Sequence, residues 1–343
     1  MTGQPADTRV ADAAARALGR GGLRVGPYGF GVAPIANLGR VVSDEDARGA
    51  LEAAWAAGIR YYDTAPHYGV GLGERRLGEF LRDKPRDEFI VSTKVGRLLV
   101  PSGTVRTDDQ GFEVQTDLVR DLDYTGDGVL RSLEASLTRM GLDRIDVVFV
   151  HDPDDFYREA LDGAFPALEQ LRAEGTITSY GAGMNQSAML ADFVRNTDLD
   201  VVMCAGRYTL LEQGALDDLL PIAVDRDVSV VAAAVFNSGL LARDNPSADL
   251  TYNYGPVPRE LLERATAIAA VCGRYGVSLP AAAIQFTLGH PAVSTVAVGA
   301  RSREQVERNV GLFDVQIPDV MWQELVDEGL LRADAPLPAS GIN

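Results

Sequence analysis

Short apolar runs alternate with longer amphipathic runs along most of the chain. This alternation is typical of parallel strands that are each followed by a helix. Eight of the apolar runs have the length of strands, and eight repeated units favour a closed (β/α)8 or TIM barrel of the α/β class over an open sheet. The predicted strands span residues 28–33, 59–63, 89–94, 145–150, 178–182, 201–205, 229–233 and 295–298.

The glycine pattern weakens the competing doubly wound fold. That fold would place a Gly-x-Gly-x-x-Gly turn after its first strand. Residues 69–74 and 181–186 each contain the first two glycines but lack the third at the required position. The barrel is therefore the favoured architecture.

The barrel domain is expected over residues 18–332, between a flexible N-terminal tail at 1–17 and a C-terminal tail at 333–343. Two apolar runs around glycines in residues 18–28 predict an N-terminal hairpin that closes the bottom of the barrel. Residues 318–331 predict one extra C-terminal helix. No internal boundary divides the chain into two domains.

Two long connections are candidates for covers over the mouth of the barrel. Residues 97–128 are polar and rich in Asp, Gly and Thr, and a loop of that size in a compact domain is usually a lid or a substrate wall. A disordered insert is the alternative. Residues 236–258 form the second candidate flap.

Charge and cysteine content narrow the class of protein. Lys and Arg number 32 against 49 Asp and Glu, and the net charge of -17 disfavours binding to nucleic acid or to an anionic membrane. Cys204 and Cys272 lie in apolar runs and are expected to be small buried residues in a reducing compartment. The chain shows no signal-peptide pattern and no run long enough to span a bilayer. We therefore expect a cytoplasmic protein, either a monomer or a homo-oligomer.

Four side chains that suit proton transfer lie at or just after predicted strand ends. Active sites of TIM barrels form at the carboxyl ends of the strands, which would bring Asp63, Lys94 and His151 to one face with Tyr68 above them. A tyrosine ordinarily titrates at about pH 10, and the Lys94 ammonium would stabilise its phenolate and bring the pKa toward working pH. Asp63 would keep Lys94 charged, and His151 would hydrogen-bond a substrate oxygen.

Each of these four residues also has a purely structural interpretation. Asp63 could cap a turn, and Tyr68 could pack in a half-buried position. Lys94 could extend its ammonium to solvent, and His151 could be a hydrogen-bonded core histidine. The occurrence of all four at neighbouring strand ends favours catalysis.

The same residues stand in motifs that resemble the aldo-keto reductase family. The motifs are Gly-Ile-Arg-Tyr-Tyr-Asp-Thr-Ala-Pro-His-Tyr-Gly at 58–69, Ser-Thr-Lys at 92–94 and Val-Phe-Val-His at 148–151. The resemblance extends over nearly the whole chain and leaves out only the two tails. It implies a barrel that binds NAD(P) without a Rossmann domain, with Asp63, Tyr68, Lys94 and His151 as the catalytic residues.

The resemblance also implies which residues hold the cofactor. Asn185 would bind the carboxamide of the nicotinamide, and Tyr208 would stack on its ring. Gly239 would allow the backbone to approach the pyrophosphate, and the residues around Gly299 would surround the adenosine at the start of a helix. The expected cofactor residues are Gly31, Val32, Asp63, Met184, Asn185, Tyr208, Phe236, Asn237, Ser238, Gly239, Leu240, Gly299, Ala300, Arg301, Ser302, Gln305, Arg308 and Asn309.

The chain departs from the family pattern at several cofactor positions. Met184 stands where many members have Ser, and Ala205 stands where a Gln usually supports the amide. Gly299 and Gln305 replace the Lys and Arg that many NADP-preferring members use. The choice between NAD and NADP stays open, because three other arginines could still meet a 2'-phosphate: Arg301, Arg303 and Arg308.

Within the family, residues 33–38, 151–154, 180–185 and 205–213 look most like the bacterial sugar and pyridoxal dehydrogenases. This branch implies oxidation of C1 of a free aldose such as L-fucose or D-arabinose, or of pyridoxal, to a lactone. Tyr68 would be the general acid and base. The expected substrate contacts are Pro34, His67, Arg97 and Asp152.

Three other functions stay open from the sequence. An NADPH-dependent aldehyde or ketone reductase would use the same four residues in the opposite direction. A non-catalytic module like the potassium-channel β subunits would keep the barrel and the cofactor but act through a partner. A metal-dependent barrel hydrolase is the weakest alternative, because three scattered histidines form no ligand cluster and no metal is expected.

Overall fold

The computed structural model describes residues 15–252 and 255–338. In chain order its strands are β1 (Arg16–Ala17), β2 (Arg24–Val25), β3 (Tyr28–Gly31), β4 (Tyr61–Asp63), β5 (Ile90–Val95), β6 (Arg97–Thr107), β7 (Gln115–Leu122), β8 (Val147–His151), β9 (Ser179–Met184), β10 (Val201–Ala205), β11 (Ser229–Ala233), β12 (Thr251–Tyr252), β13 (Gly255–Pro256) and β14 (Val293–Gly299).

The α-helices lie between and after these strands. They are α1 (Asp44–Ala56), α2 (Leu72–Leu81), α3 (Gly126–Met140), α4 (Tyr157–Glu159), α5 (Phe165–Ala173), α6 (Ser187–Asn196), α7 (Leu219–Asp225), α8 (Arg259–Arg274), α9 (Leu279–Leu288), α10 (Arg303–Phe313) and α11 (Asp319–Asp327). A π-helical turn at Ala160–Ala164 joins α4 to α5, and short 3-10 turns occupy Ala33–Ala36, Arg86–Glu88, Gly214–Leu216 and Asn237–Gly239.

Eight strands close into a parallel barrel in the order β10, β11, β14, β3, β4, β5, β8 and β9. The predicted (β/α)8 barrel is therefore confirmed, and each predicted strand overlaps an observed one. Because all eight strands are parallel, their carboxyl ends meet at one mouth. The pairing of Asp63 with Ser92 and of His151 with Gly183 places the predicted catalytic residues on that rim.

Helix ends follow local capping chemistry. Ser43 accepts a hydrogen bond from the Asp46 N–H at the start of α1, and Thr125 does the same for Gly128 at the start of α3. Gly141, with φ of 64°, ends α3 in the left-handed conformation that glycine adopts without steric cost. These signals explain why the helices begin and end where they do.

The apolar core has two parts. A large cluster fills the layer between the barrel and the helices, and a smaller one lies inside the barrel with Val147, Phe149, Val201 and Val231. Leu18, Leu23 and Val25 belong to the inner cluster. The predicted N-terminal hairpin is confirmed as the antiparallel pair β1 and β2, which covers the end of the barrel opposite the mouth.

The tails differ slightly from the prediction. Arg16 and Ala17, which we placed in the flexible tail, form β1, and residues 1–14 and 339–343 lie outside the described residues. The extra C-terminal helix is present as α11 and ends earlier than predicted, since Gly329 has φ of 68° and the Leu330 N–H turns back to the Leu325 carbonyl.

The polar connection at 97–128 is not an irregular loop. Most of it forms an antiparallel ribbon of β6 and β7, with an irregularity between Pro101 and Arg106. The residues of β6 beyond 101 are exposed on both faces, so the alternation of buried and exposed residues that marks a half-buried strand is absent from that part of β6. The second predicted flap contains the Asn237–Gly239 turn and the short pair β12 and β13.

Across residues 15–252 and 255–338, no single helix is both long and apolar enough to cross a membrane. Helices α8 and α9 meet that test only when taken together, and they are bent by 99° relative to each other.

Candidate active site

Asp63 and Lys94 form a buried ion pair at the centre of the barrel mouth. Lys94 Nζ donates to Asp63 Oδ1 at 2.9 Å, to Asp63 Oδ2 at 2.7 Å and to the Thr64 carbonyl oxygen at 3.0 Å. The two side chains are 2% and 4% exposed. Burial opposes the charge on Lys94, but the Asp63 carboxylate and Tyr68 outweigh it and raise the pKa of Lys94. Lys94 is therefore an ammonium at neutral pH.

Tyr68 lies above this ion pair on the turn between β4 and α2. Its ring centroid is 4.6 Å from Lys94 Nζ. The turn is tight, because Gly69 has φ of 60° and a Cβ there would come within 2.4 Å of the Ala36 carbonyl oxygen. Glycine is needed at that position to present the phenol to the mouth.

The pKa of Tyr68 differs from the sequence expectation. Burial raises it to about 12, and the Lys94 charge lowers it only in part. The prediction that Lys94 brings this pKa toward working pH is therefore wrong for the protein without ligand, because desolvation of the phenolate outweighs the attraction of the ammonium. Tyr68 is a neutral phenol at pH 7.

His151 completes the group at the end of β8. Its ring is nearly perpendicular to that of Tyr68, at 89° with centroids 5.9 Å apart. Burial, together with the charges of Lys94 and Arg97, lowers the pKa of His151 well below its usual value. A neutral imidazole beside the phenol can donate a hydrogen bond to an oxygen without adding charge. The four predicted catalytic residues are thus brought together.

The ribbon of β6 and β7 closes over one side of this group. Phe112, in the turn between the two strands, packs its ring against His67 and Tyr68 with centroids 5.2 and 6.2 Å away. The turn is fixed to the loop after β3, where the Gly39 N–H donates to the Gly111 carbonyl oxygen at 2.8 Å. The predicted wall of the site is therefore a ribbon anchored at both ends.

A second ion pair lies within the ribbon, and its arginine also binds the turn that bears Tyr68. Arg120 and Asp108 form an ion pair, and their side chains are only 4% and 3% exposed, respectively. Arg120 Nη2 also donates to the His67 carbonyl oxygen at 3.0 Å, one residue before Tyr68. Sequence reasoning missed both residues, because their partners are distant in the chain and no spacing rule links them.

The predicted substrate contacts divide into two groups. Arg97 Nη2 donates to Asp152 Oδ2 at 2.9 Å at the edge of the mouth, and His67 lies beside them with a pKa lowered to about 3 by burial and by Arg120. Pro34 is elsewhere: its ring packs on Gly299, where a Cβ would come within 2.4 Å of Pro34 Cγ. Pro34 therefore lies with the predicted cofactor residues.

The predicted adenosine residues gather at the start of α10. Ser302 caps this helix, and the Arg301 N–H donates to Gln305 Oε1 at 2.8 Å. Arg301 Nη2 donates to the Leu38 carbonyl oxygen at 3.0 Å, so its guanidinium is held across the gap between β14 and β3. Arg308 is exposed, whereas Gly31 and Gly299 are half-buried and Val32, Ala300 and Asn309 are buried.

The predicted nicotinamide and pyrophosphate residues line the other side of the mouth. Met184 ends β9, and the carbonyl oxygen of the next residue, Asn185, accepts a hydrogen bond from Arg207 Nε at 2.9 Å. Arg207 therefore holds the backbone at Asn185 in place. Asn237 and Ser238 have φ of 45° and 57°, a costly conformation for residues other than glycine that is common at ligand clamps.

Glu212 connects these loops and was missed from the sequence. Its carboxylate accepts from Arg207 Nη1 at 3.2 Å and from Asn237 Nδ2 at 2.8 Å, and it contacts the Tyr252 hydroxyl of the second flap. One carboxylate therefore joins three segments after β10 and β11. No local pattern marks Glu212, because its role depends on loops that meet only in the fold.

Tyr208 does not occupy the position implied for it. Its side chain is 1% exposed, and its ring packs on Phe286 and His290 with centroids 5.4 Å away. A ring that stacks on a cofactor needs an open face, and Tyr208 has none. Phe236 is half-buried after β11, whereas Leu240 is 0% exposed and offers no surface to a ligand.

The described residues fit a dinucleotide. Asn237 Oδ1 is buried and lacks a hydrogen-bond partner among them, and a Cβ built on Gly239 would meet no atom within 4 Å. The backbone at Gly239 therefore borders open space, where a ligand can approach it closely. Across the same parts of the chain, no group of three or more His, Cys, Asp or Glu side chains is placed to hold a metal ion.

A parallel barrel with an Asp, Tyr, Lys and His group at its mouth is the arrangement of a barrel oxidoreductase. The aldo/keto reductase family profile matches residues 27–328, and the chain belongs to that family. It is therefore an NAD(P)-dependent oxidoreductase, as the resemblance implied.

Individual relatives support the same assignment. The chain is 49% identical to D-threo-aldose 1-dehydrogenase from Pseudomonas sp, over 90% of this chain and 96% of that protein. It is 41% identical to pyridoxal 4-dehydrogenase from Microbacterium luteolum, over 92% and 97%. Among solved structures, the holo form of an aldo-keto reductase from Bacillus halodurans superimposes with a TM-score of 0.73 at 26% identity, over 94% of this chain and 98% of that one.

Proposed function

We propose that the protein oxidises a free aldose of the L-fucose or D-arabinose type at C1, or pyridoxal at its aldehyde carbon, to a lactone. The observation that carries this proposal is the single cluster of Tyr68, Lys94, Asp63 and His151 beside the polar pair of Arg97 and Asp152. The names of the Pseudomonas and Microbacterium relatives support the same substrates. A polar rim suits a hydroxylated substrate better than an aromatic pocket would.

When bound, NAD(P)+ supplies the acceptor for the hydride that leaves C1, so that one C–H and one O–H bond of the hemiacetal become the C=O bond of the lactone. His151 donates a hydrogen bond that orients the reacting oxygen. Tyr68, as the phenolate, takes the proton from that oxygen, and Lys94 stabilises the negative charge that the phenolate carries. Asp63 keeps Lys94 charged and in place.

The rate of oxidation should rise with pH. The pKa of Tyr68 is raised to about 12, so the phenolate fraction grows about tenfold per pH unit below that value. We expect kcat/KM for the sugar, measured at saturating cofactor, to rise by about tenfold per unit between pH 7 and pH 9. A profile that is flat over this interval would contradict a phenol with a raised pKa.

A reductase acting on an aldehyde or ketone is the second candidate. The raised pKa favours it at neutral pH, because a protonated Tyr68 is ready to donate to a carbonyl oxygen. In that direction kcat/KM should be constant across the same interval, since the phenol is fully protonated there. A kcat/KM that rises with pH in the oxidation direction and stays constant in the reduction direction distinguishes the two reactions.

The loop that bears Tyr68 should depend on the ribbon. Arg120→Met removes the hydrogen bond to the His67 carbonyl oxygen and leaves Asp108 without its buried partner. We expect kcat/KM to fall by about 10- to 100-fold, because a small displacement of the phenol costs rate, while the Kd of NADH stays within about twofold. Steady-state kinetics and fluorescence titration of NADH measure these quantities.

Arg106→Met is the matched control, since Arg106 is exposed on the same ribbon. It should leave kcat/KM unchanged. Equal losses in the two variants would mean that the ribbon is sensitive as a whole and that Arg120 has no special role.

The proposed function is tested by following reduced nicotinamide at 340 nm while the purified protein meets L-fucose, D-arabinose, D-galactose or pyridoxal, with NAD or with NADP. Formation of NAD(P)H with at least one of these substrates is the expected result. Consumption of NADPH with simple aldehydes, and no oxidation of any sugar, would replace the proposal with the reductase. Inactivity in both directions would overturn both.

A further inference from the structure

The backbone after β8 is held in an unusual conformation. Asp152 has φ of 42°, in the left-handed region that few residues other than glycine adopt. Three hydrogen bonds hold it there: the Asp152 N–H donates to the Gly183 carbonyl oxygen at 3.1 Å, and the Tyr124 hydroxyl donates to the carbonyl oxygens of His151 and Asp152 at 2.7 and 3.0 Å. Strain that is maintained in this way is a common feature of functional sites.

This conformation turns the Asp152 carboxylate toward the reacting centre. Asp152 Oδ2 lies 3.5 Å from His151 Nε2, the nitrogen that faces the site, and 2.9 Å from Arg97 Nη2. The Asp152 and Arg97 side chains are 31% and 19% exposed, so both can be reached from the mouth. Asp152 Oδ1 has no hydrogen-bond partner among the described residues, which leaves an acceptor for a ligand.

An aldose presents two hydroxyls to such a site. If His151 holds the oxygen on C1, the hydroxyl on C2 is the nearest other hydroxyl, and it lies within a hydrogen-bond length of that oxygen. A carboxylate accepts a hydrogen bond from a hydroxyl while an adjacent guanidinium donates to the same oxygen. Asp152 and Arg97 offer this pair of contacts beside His151.

We propose that Asp152 and Arg97 recognise the C2 hydroxyl, so that the substrate class is aldoses with a hydroxyl of one configuration at C2. The inference rests on the proposed oxidation at C1 and adds what selects the sugar. A site built to hydrogen-bond a hydroxyl rejects an analogue without it, because the protein groups are then left unpaired. Because Asp152 and Arg97 are partly exposed, the loss of kcat/KM for an analogue without the hydroxyl should be smaller than in a fully buried pocket.

Two sugars test the inference directly. D-Arabinose and 2-deoxy-D-ribose differ only by the C2 hydroxyl, and D-ribose inverts the configuration at C2. We expect kcat/KM for D-arabinose to exceed that for 2-deoxy-D-ribose by roughly 30-fold or more, with D-ribose also disfavoured. In Asp152→Gly the ratio for the matched pair should fall to about threefold, because kcat/KM for D-arabinose falls more than kcat/KM for 2-deoxy-D-ribose.

The substitutions at Asp152 are chosen to suit the positive φ of its backbone. Glycine tolerates positive φ, so Asp152→Gly removes the carboxylate without adding strain, and Asp152→Asn should retain an intermediate ratio because its amide can still bond to the hydroxyl. Asp155→Gly is the matched control, since Asp155 is an exposed carboxylate three residues along the same loop. It should keep the discrimination of the original protein.

Binding provides a readout that does not need turnover. In a Tyr68→Phe background with NAD present, saturation-transfer NMR should give a stronger signal for D-arabinose than for 2-deoxy-D-ribose. Adding Asp152→Gly should strongly reduce that difference, in line with the expected kinetic ratio of about threefold. An undiminished difference would show that other groups bind the C2 hydroxyl and would overturn the inference.

The kinetic outcomes distinguish a failure of the inference about Asp152 from a failure of the proposed oxidation at C1. Oxidation of both sugars with equal kcat/KM would overturn the role of Asp152 and leave the proposed function intact. Undiminished discrimination between the two sugars in Asp152→Gly would also overturn the role of Asp152 and leave the proposed function intact. Oxidation of no sugar with either cofactor would overturn the proposed function, and the inference with it.

Discussion

Replacing Tyr68 with phenylalanine is expected to lower kcat for sugar oxidation by about 10²- to 10⁴-fold. The ring would keep its packing on Phe112 and its place above Lys94, so only the hydroxyl that carries the proton is lost. The Kd of NAD(P)H should change by less than about twofold, because the expected cofactor contacts lie on other loops. Steady-state kinetics and fluorescence titration measure both quantities.

Tyr157→Phe serves as the control for this substitution. Tyr157 is partly buried and stacks on Phe193, at 5.2 Å between centroids, on the outer side of the fold. It should retain full activity. If Tyr68→Phe kept more than about a tenth of the original kcat, another group would have to carry the proton, and the assignment of Tyr68 would be abandoned.

Lys94→Met is expected to have the largest combined effect on stability and activity. It leaves the Asp63 carboxylate buried with Ser92 Oγ, at 2.7 Å, as its remaining side-chain partner. Breaking a buried ion pair from one side typically costs about 3–5 kcal/mol of the free energy of unfolding. Turnover should fall by about 10²-fold or more, because the phenolate of Tyr68 loses its stabilising charge.

A double-mutant cycle separates stability from catalysis. Asp63→Leu alone should also destabilise the protein, since it leaves the Lys94 ammonium buried without its counter-charge. The double variant Asp63→Leu, Lys94→Met removes both charges and should recover much of the lost stability while remaining inactive. Urea midpoints and kcat are the measurements. Strictly additive losses of stability would contradict a coupled pair.

Much of the fold is readable from local sequence because each barrel unit repeats the same pattern. A buried parallel strand must be apolar, and the helix that covers it must be amphipathic, so both leave periodic signals in the chain. The four predicted catalytic residues lie together for a related reason. Parallel strands in a closed barrel carry their carboxyl ends to one rim, so position in the chain predicts position in the site.

The sequence contains no comparable periodic pattern that predicts the ribbon of β6 and β7 or its contacts. Residues beyond 101 in β6 are exposed on both faces, so their strand structure depends on cross-strand hydrogen bonds instead of burial. Arg120 and Glu212 act through partners in other loops, Asp108 acts through Arg120 on the facing strand of the ribbon, and the relevant distances exist only after folding. Tyr208 was misplaced because a motif specifies neither the direction nor the burial of a side chain.

The sequence alone predicted the barrel, the order of its strands along the chain and the side chains proposed for proton transfer, since these follow from periodicity and from residue type at strand ends. Only the tertiary structure decided the raised pKa of Tyr68, the ribbon that covers it and the strained turn that aims Asp152 at His151. These properties depend on desolvation and on contacts between distant segments, and neither is a function of local sequence.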